Sequence, residues 1–172
     1  MSLPENVITD AGPLIALGKL ARLHLLAALY TVVQVPQAVY DEAVTRGLAR
    51  REPEALSIQM ACDLYGWPIL PSPQQMSVAI SPGVLLGDGE IQALNAASST
   101  PAALVLIDDE AAREEARRLG LKVKGTSGVL VQAYQANLIS RQELETLIEM
   151  IALRRDIWIK AELCQRVLAQ LP

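Results

Sequence analysis

Segments typical of strands and segments typical of helices alternate along the whole chain, and this alternation limits the folds available to it. Residues 7–8 and 31–35 are rich in β-branched side chains, whereas residues 102–107 form a continuous apolar run. Such a run is typical of a strand that is buried on both faces of a sheet. Because helical patterns follow the strands, the chain predicts an α/β fold with a central parallel sheet and helices on both faces.

Proline, glycine and capping residues indicate where the predicted helices begin and end. Pro36 suits the first turn of a helix, Asp88 is a predicted N-cap, and Gly120 is a typical C-terminal stop. Ser140 and Glu143 have the spacing of a capping box. The apolar spacing predicts one or two short helices over residues 14–29, longer helices over 36–43, 52–65, 88–97 and 109–119, and three more after residue 128.

The length and composition indicate a globular protein. The chain has 172 residues, of which 51% are hydrophobic and 20% charged, which is typical of a folded domain with a substantial core. Residues 1–172 are therefore predicted to form a single domain, with the helices from about residue 140 packing on its main body. The chain contains no Phe, so aliphatic side chains must supply most of the core.

Several classes of protein are disfavoured by the same sequence. No apolar run reaches the roughly 18 residues of a membrane span, and the N-terminus lacks the order of a signal peptide. These features predict a cytoplasmic protein without membrane association. The net charge of −4 argues against broad attraction to nucleic acid, although it allows a local basic rim around an acidic metal site.

Zinc and nucleotide sites have little support. Cys62 and Cys164 lie far apart without a C-x-x-C pattern, and His24 is the single histidine. Free thiols are therefore favoured over a disulfide, and a zinc site is disfavoured. Neither G-x-G-x-x-G nor a P-loop follows the first strand, which argues against a nucleotide-binding fold.

Acidic residues recur at the ends of the predicted strands and near the starts of the helices that follow. A carboxylate at the carboxyl end of a central strand points into the crevice where open α/β sheets bind ligands, and Asp10 has this position. Oxygen ligands are those that Mg²⁺ prefers, so convergence of the acids would form a site for a divalent metal ion. The acids concerned are Asp10, Glu42, Glu90, Asp108 and Asp109.

Each acid also has an ordinary structural explanation. Acids in the first turn of a helix commonly cap it and complement its dipole, and this explanation is favoured for Glu90 or Asp109 taken alone. Glu42, beside Asp41, fits a solvated helix face equally well. For Asp10, the position at the end of a strand favours a functional role. The joint pattern of acids carries more weight than any single member.

Five segments resemble successive blocks of PIN domains, in the branch close to VapC-type toxins. No single block is specific, but their order and spacing are, and the resemblance spans residues 6 to about 138. The segments begin with Val7-Ile8-Thr9-Asp10-Ala11-Gly12-Pro13-Leu14-Ile15 and continue with residues 35–42, 87–90, 107–113 and 120–126.

The resemblance implies a three-layer α/β/α sandwich and a ribonuclease that uses Mg²⁺ or Mn²⁺ to hydrolyse single-stranded or structured RNA with water. It implies that Asp10 and Glu42 are metal ligands, that Glu90 is the third acid, and that Asp108 or Asp109 is the fourth. The spacing to Gly120 favours Asp109 as the catalytic residue, whereas Asp108 lies nearer the strand end. A small antitoxin and a second copy of the chain are implied as protein partners.

Two positions depart from the family pattern. Glu90 stands where many members have Asp, and Gly12 stands where a hydroxyl or amide side chain often helps to hold the pocket. These departures weaken the transfer of RNA specificity more than that of metal binding. The alternative function is a non-catalytic PIN-like interaction module, in which the Ala-rich helices form the working surface.

Weaker candidates lie beside the acids. Arg113 is expected to orient Asp109, to contact the RNA backbone, or to form a surface ion pair. Thr126 and Ser127 could bind a phosphate at a helix start, although a tight turn with one of them as N-cap is favoured. Trp158 is predicted to lie in the core or at a dimer interface rather than to stack on a base.

Overall fold

The computed structural model of the protein describes residues 6–101 and 103–171. Within them, five strands form one sheet in the order β3-β2-β1-β4-β5, and every pairing is parallel. The strands are β1 (Val7–Thr9), β2 (Val33–Pro36), β3 (Ile69–Leu70), β4 (Leu104–Leu106) and β5 (Lys122–Lys124). The predicted α/β fold with a parallel sheet is confirmed; Ala102, at the start of the strand predicted over residues 102–107, lies outside the described residues.

Helices connect the strands and cover both faces of the sheet. A π-helical segment, Asp41–Arg46, follows directly on α3 and leads into α4. The α-helices are α1 (Ala11–Lys19), α2 (His24–Leu29), α3 (Gln37–Tyr40), α4 (Gly47–Ala49), α5 (Pro53–Tyr65), α6 (Asp88–Ser98), α7 (Glu110–Arg118), α8 (Thr126–Gln135), α9 (Arg141–Leu153) and α10 (Ala161–Ala169). No helix in the described part of the chain is long and apolar enough to cross a membrane.

The sheet separates two hydrophobic clusters because successive strand residues point to opposite faces. Val7 and Leu106 belong to the larger cluster, which also includes side chains of α1, α2, α5, α8 and α9. Ile8, Val105 and Ile107 belong to the smaller one, with α6 and α7. The central strands are thus buried on both faces, as their apolar sequences predict.

The connectivity creates a crevice at the carboxyl end of the sheet. β1 pairs with β2 on one side and with β4 on the other. The chain therefore leaves β1 and β4 in opposite directions across the sheet, which is the switch point where open α/β sheets bind ligands. Asp10 directly follows β1, and residues 107–109 follow β4, so both acidic segments lie at this crevice.

Some predicted helix boundaries are confirmed. The Ser140 hydroxyl accepts the backbone N–H of Glu143 at 3.1 Å, as expected of an N-cap. Gly120 follows α7 with a φ of +74°, a conformation that favours glycine after a helix. Cys62 and Cys164 are buried free thiols, as predicted.

Two predicted N-caps are wrong. Gly87, not Asp88, precedes the first residue of α6, and Gly125 precedes α8 in place of Thr126 or Ser127. In both cases a carboxylate accepts a backbone N–H at the helix start: that of Glu90 within α6, and that of Asp108 at the start of α8. The cap position therefore needs no polar side chain of its own.

Candidate acidic active site

Asp10 is held at the centre of the crevice by the backbone of two strands. Its N–H donates to the carbonyl of Leu106 at 2.9 Å, which ties the end of β1 to β4. Its side chain caps α1 through a long, 3.5 Å contact from the N–H of Gly12. With 6% of its surface exposed, Asp10 is a buried acid with little hydrogen-bond compensation.

Asp10 and Glu42 face the same small space beside the backbone of Gly89. A Cβ atom placed on Gly89 would lie 3.2 Å from Asp10 Oδ1, 3.5 Å from Glu42 Oε2 and 3.3 Å from Val39 Cγ2. The missing side chain therefore leaves a hollow between two carboxylates, which come from the end of β1 and from the π-helical segment. The structure brings these two predicted metal ligands together.

Glu90 both caps its own helix and belongs to the acidic cluster. Its Oε2 accepts the N–H of Gly87 at 2.8 Å, one half of a capping box. Burial raises the pKa of Glu90, and the charges of Asp109 and Glu42 add to this effect. Glu90 therefore caps α6, as its position in the sequence predicts, and also lies near the other acids.

Asp108 is the interior member of the Asp108–Asp109 pair. Its Oδ1 accepts the N–H of Thr126 at 2.7 Å, and its Oδ2 accepts the Thr126 hydroxyl at 2.6 Å. A Cβ on Gly12 would lie 3.7 Å from both Asp10 Oδ2 and Asp108 Oδ2. Asp10 and Asp108 thus both border the space that a side chain at position 12 would enter.

Asp109 lies at the exposed rim. Its Oδ1 accepts the N–H of Ala112 at 2.9 Å and caps α7. Its charge raises the pKa of Glu90, which places the two acids near each other. The structure therefore puts Asp108 on the inner side of the crevice and Asp109 on the outer side, beside Glu90.

Two of the three weaker candidates, Arg113 and Thr126, lie beside Asp108. Burial raises the pKa of Asp108, and the hydrogen bonds from Thr126 and the charge of Arg113 lower it by less. Arg113 Nε and Ser127 Oγ are buried without a hydrogen-bond partner among the described residues. Thr126 is fully buried and Ser127 nearly so, and the hydroxyl of Thr126 supports the site from behind through its bond to Asp108. The sequence did not reveal this role of Thr126, because the contact joins residues that lie 18 positions apart.

The electrostatics of the cluster favour a cation. Burial raises the pKa of Asp10 to about 7, with further increases from the charges of Glu90 and Glu42. Such a shift indicates that the protein alone compensates this negative charge poorly. The donors are carboxylate oxygens, which Mg²⁺ and Mn²⁺ prefer, and the hollow at Gly89 gives them a common space. The residues therefore fit a divalent ion.

The carboxylates are not arranged as a finished coordination shell. No group of three or more His, Cys, Asp or Glu side chains within residues 6–101 and 103–171 has the geometry of a metal site. Glu90 and Asp108 are turned towards Gly87 and Thr126, respectively. A bound ion would draw mainly on Asp10 and Glu42 in the arrangement observed.

A cavity of about 320 Å³ adjoins the cluster and extends away from it. Glu42 and Asp108 line one part of its wall, and Trp158 lines another. Of the two predicted locations of Trp158, the core is wrong, because 92% of its surface is exposed, and a dimer interface stays a prediction. Sequence pattern could not reveal this, since Trp158 stands in an irregular segment between α9 and α10.

The chain matches the model of a known family. The family model DUF3368, described as a PIN domain, matches residues 6–172. This range includes all five strands and every acid of the cluster. A comparison with curated proteins gives no match.

Proposed function

Because this chain belongs to the PIN-domain family, we propose that it is a metal-dependent endoribonuclease that hydrolyses single-stranded or structured RNA. PIN domains are generally nucleases and typically use divalent metal ions. The observation that carries the proposal is the shared hollow at Gly89, which Asp10 and Glu42 both face. We further propose that the protein is a VapC-like toxin that acts in the cytoplasm, controlled by a small antitoxin.

The proposed ion is Mg²⁺ or Mn²⁺, held chiefly by Asp10 and Glu42. Such an ion supplies charge neutralisation at the phosphate and lowers the pKa of a bound water. Glu90 and Asp109 lie at the outer side, where they can orient water or a second ligand. Asp108 lies across Gly12 from Asp10, and the Thr126 hydroxyl holds it there.

The proposal is tested by replacing one acid whose removal should not disturb the fold. Glu42 is exposed, so Glu42→Gln is expected to retain the melting temperature of the ion-free protein and to lower RNA cleavage by at least about 100-fold. Glu149→Gln, an exposed acid on α9, is the matched control. Cleavage of a labelled RNA pool is measured with Mg²⁺, with Mn²⁺ and with EDTA; cleavage that survives EDTA and Glu42→Gln alike would contradict the proposal.

Filling the hollow should weaken metal binding without removing a ligand. A methyl group at Gly89 would crowd Asp10, Glu42 and Val39, so Gly89→Ala is expected to reduce the rise in melting temperature that Mn²⁺ produces in the parent protein. Gly12→Ala is the control, because its methyl group would make ordinary contacts of 3.6–3.7 Å. Equal Mn²⁺-linked shifts in both variants would argue against an ion at Gly89.

A surface on α5 supports the second function, a protein-interaction module. Leu56, Met60 and Leu64 are exposed there, beside a cavity of about 350 Å³ that Leu23 and Tyr65 also line. Exposed apolar patches of this kind often mark interfaces, and we propose that a second copy of the chain binds here. Should Glu42→Gln leave the cellular effect of the protein unchanged, the interaction module would be favoured over the nuclease.

A further inference from the structure

An exposed tryptophan and the acidic cluster border the same cavity. The cavity, of about 320 Å³, is lined at one part by Glu42 and Asp108 and at another by Trp158 with Ile157 and Ile159. Its volume is at the lower end of the roughly 300–1,000 Å³ of small-ligand pockets. The space thus suits one planar group beside the acids rather than a helix or strand of another protein.

The segment that carries Trp158 is fixed to the body of the protein. Asp156 accepts hydrogen bonds from Lys19 of α1 at 3.0 Å and from Arg154 at 2.8 and 2.7 Å. Ile157 is buried in the larger hydrophobic cluster. Trp158 is therefore held between anchored neighbours, and its ring is presented at the cavity by a defined backbone.

The exposure of Trp158 is not explained by packing within the chain. The surface of Trp158 is 92% exposed, whereas that of Trp67 is 5% exposed. The ring of Trp67 lies 5.5 Å from the ring of Tyr65. Exposing a large aromatic surface forgoes its burial energy. An exposed ring on an anchored segment beside the acidic cluster is a feature expected of a surface that receives a ligand.

The charges around the cavity indicate what kind of contact is needed. Glu42, Glu52 and Asp108 contribute negative charge to its wall, and Arg50 is a basic residue there. Lys19, the other basic residue, is already paired with Glu54 at 3.2 Å and with Asp156 at 3.0 Å. Attraction for phosphates is therefore weak away from the metal ion, and stacking on an aromatic ring offers affinity that does not depend on charge.

We propose that Trp158 is a stacking platform for one nucleobase of the RNA substrate, next to the phosphate that lies at the acidic cluster. This inference rests on the proposed nuclease function. Stacking tolerates any base, because every base has an aromatic face, so Trp158 sets the position of the strand rather than its sequence. The backbone continues from the stacked nucleotide towards Glu42 and Asp108.

The test compares Trp158→Ala and Trp158→Phe in the metal-loaded protein, with a labelled single-stranded RNA of about eight nucleotides. Trp158→Ala is expected to raise KM by about 5- to 100-fold and to change kcat by less than about twofold, while Trp158→Phe retains most of the affinity. Leu153→Ala, which removes another exposed side chain of the same C-terminal region, is expected to leave KM unchanged. One abasic position in the RNA should mimic the loss in the parent protein and have no added effect in Trp158→Ala.

The outcomes separate this proposal from the nuclease proposal. An unchanged KM in Trp158→Ala, with normal cleavage, overturns stacking and leaves the nuclease intact; the same holds if Trp158→Ala alters only self-association. If the parent protein cleaves no RNA, the nuclease proposal fails, and stacking is then decided by fluorescence of Trp67→Phe, in which Trp158 is the remaining tryptophan. Quenching by the same RNA supports stacking, and an unchanged emission overturns it.

Discussion

Asp10→Asn is expected to stabilise the ion-free protein by about 2–4 kcal/mol at pH 8 while it lowers RNA cleavage by at least about 100-fold. The stabilisation follows from the pKa of Asp10, which burial and the charges of Glu90 and Glu42 raise from 3.8 to about 7. At pH 8 the folded protein must keep this buried carboxyl ionised, whereas Asn is neutral. The loss of cleavage follows from the loss of a charged ligand at the hollow beside Gly89.

The pH dependence has a definite sign. Between about pH 4 and 7 the folded state retains a proton on Asp10 that the unfolded state has released, so the free energy of unfolding falls as the pH rises through this window and then levels off. Asp10→Asn should remove the part of this decline that Asp10 causes, whereas Glu90 and Asp108, whose pKa values burial also raises, keep their own parts. Denaturant unfolding in EDTA from pH 4 to 8 measures it, with the exposed Asp63→Asn as control; parallel curves for the parent protein and Asp10→Asn would contradict the assignment.

At low pH, the free energy of unfolding depends on residues other than Asp10. Hydrogen bonds from Arg118 and Ser81 lower the pKa of Glu115 to about 2, and those from Arg154 and Lys19 lower that of Asp156. Their contribution is present above the ordinary carboxyl pKa and is lost as the pH falls towards the lowered values. The decline assigned to Asp10 is therefore read above about pH 5, where these two groups stay ionised in both states.

Thr126→Val is expected to destabilise the protein by about 2–3 kcal/mol at neutral pH. The substitution keeps the volume of a fully buried side chain but removes the hydroxyl that donates to Asp108 Oδ2 at 2.6 Å. Asp108 then retains the backbone N–H of Thr126 and the nearby Arg113 charge, and its pKa, already raised by burial, should rise further. RNA cleavage should fall as well, because Asp108 is one of the predicted metal ligands.

Thr126→Ser is the matched variant, since it restores a hydroxyl at the same position. It is expected to recover most of the stability lost in Thr126→Val, apart from the cost of one buried methyl group of about 1 kcal/mol. Thermal and denaturant unfolding at pH 8 and pH 5 measure both. A Thr126→Ser variant no more stable than Thr126→Val would contradict the assignment of this stability to the hydroxyl, because only Ser restores the bond to Asp108.

Sequence predicts the positions of the acids that directly follow a strand. Asp10 and Asp108 follow neighbouring parallel strands, and the carboxyl ends of such strands meet at one edge. Their approach therefore needs only the strand assignment. Sequence does not determine the directions of Glu42 and Glu90, because a helical acid can face the crevice or solvent without a change in sequence pattern.

The features that sequence did not predict depend on contacts between distant segments. Asp108 meets Thr126 because β4 and β5 pair in a register that places Leu106 opposite Lys124. Gly89 matters because α6 approaches both Asp10 and Glu42. N-cap statistics favour polar residues, yet Gly125 takes the cap position because the Asp108 carboxylate reaches the N–H of Thr126 from another strand.

The direction of the Glu42 side chain depends on the number of residues in the π-helical turn over Asp41–Arg46. Such a turn contains roughly one residue more than an α-helical turn, as a single inserted residue would produce. Val39, Ala43 and Gly47 are buried at intervals of four positions, longer than the roughly 3.6 of an α-helix, and the wide turn lets all three face inward. Removing one residue here would turn the following helix by about 100°. The three buried residues could then not face the core while Glu42 faces the crevice. Variation in length among related chains should consequently be tolerated in the loop before α6 sooner than in this turn.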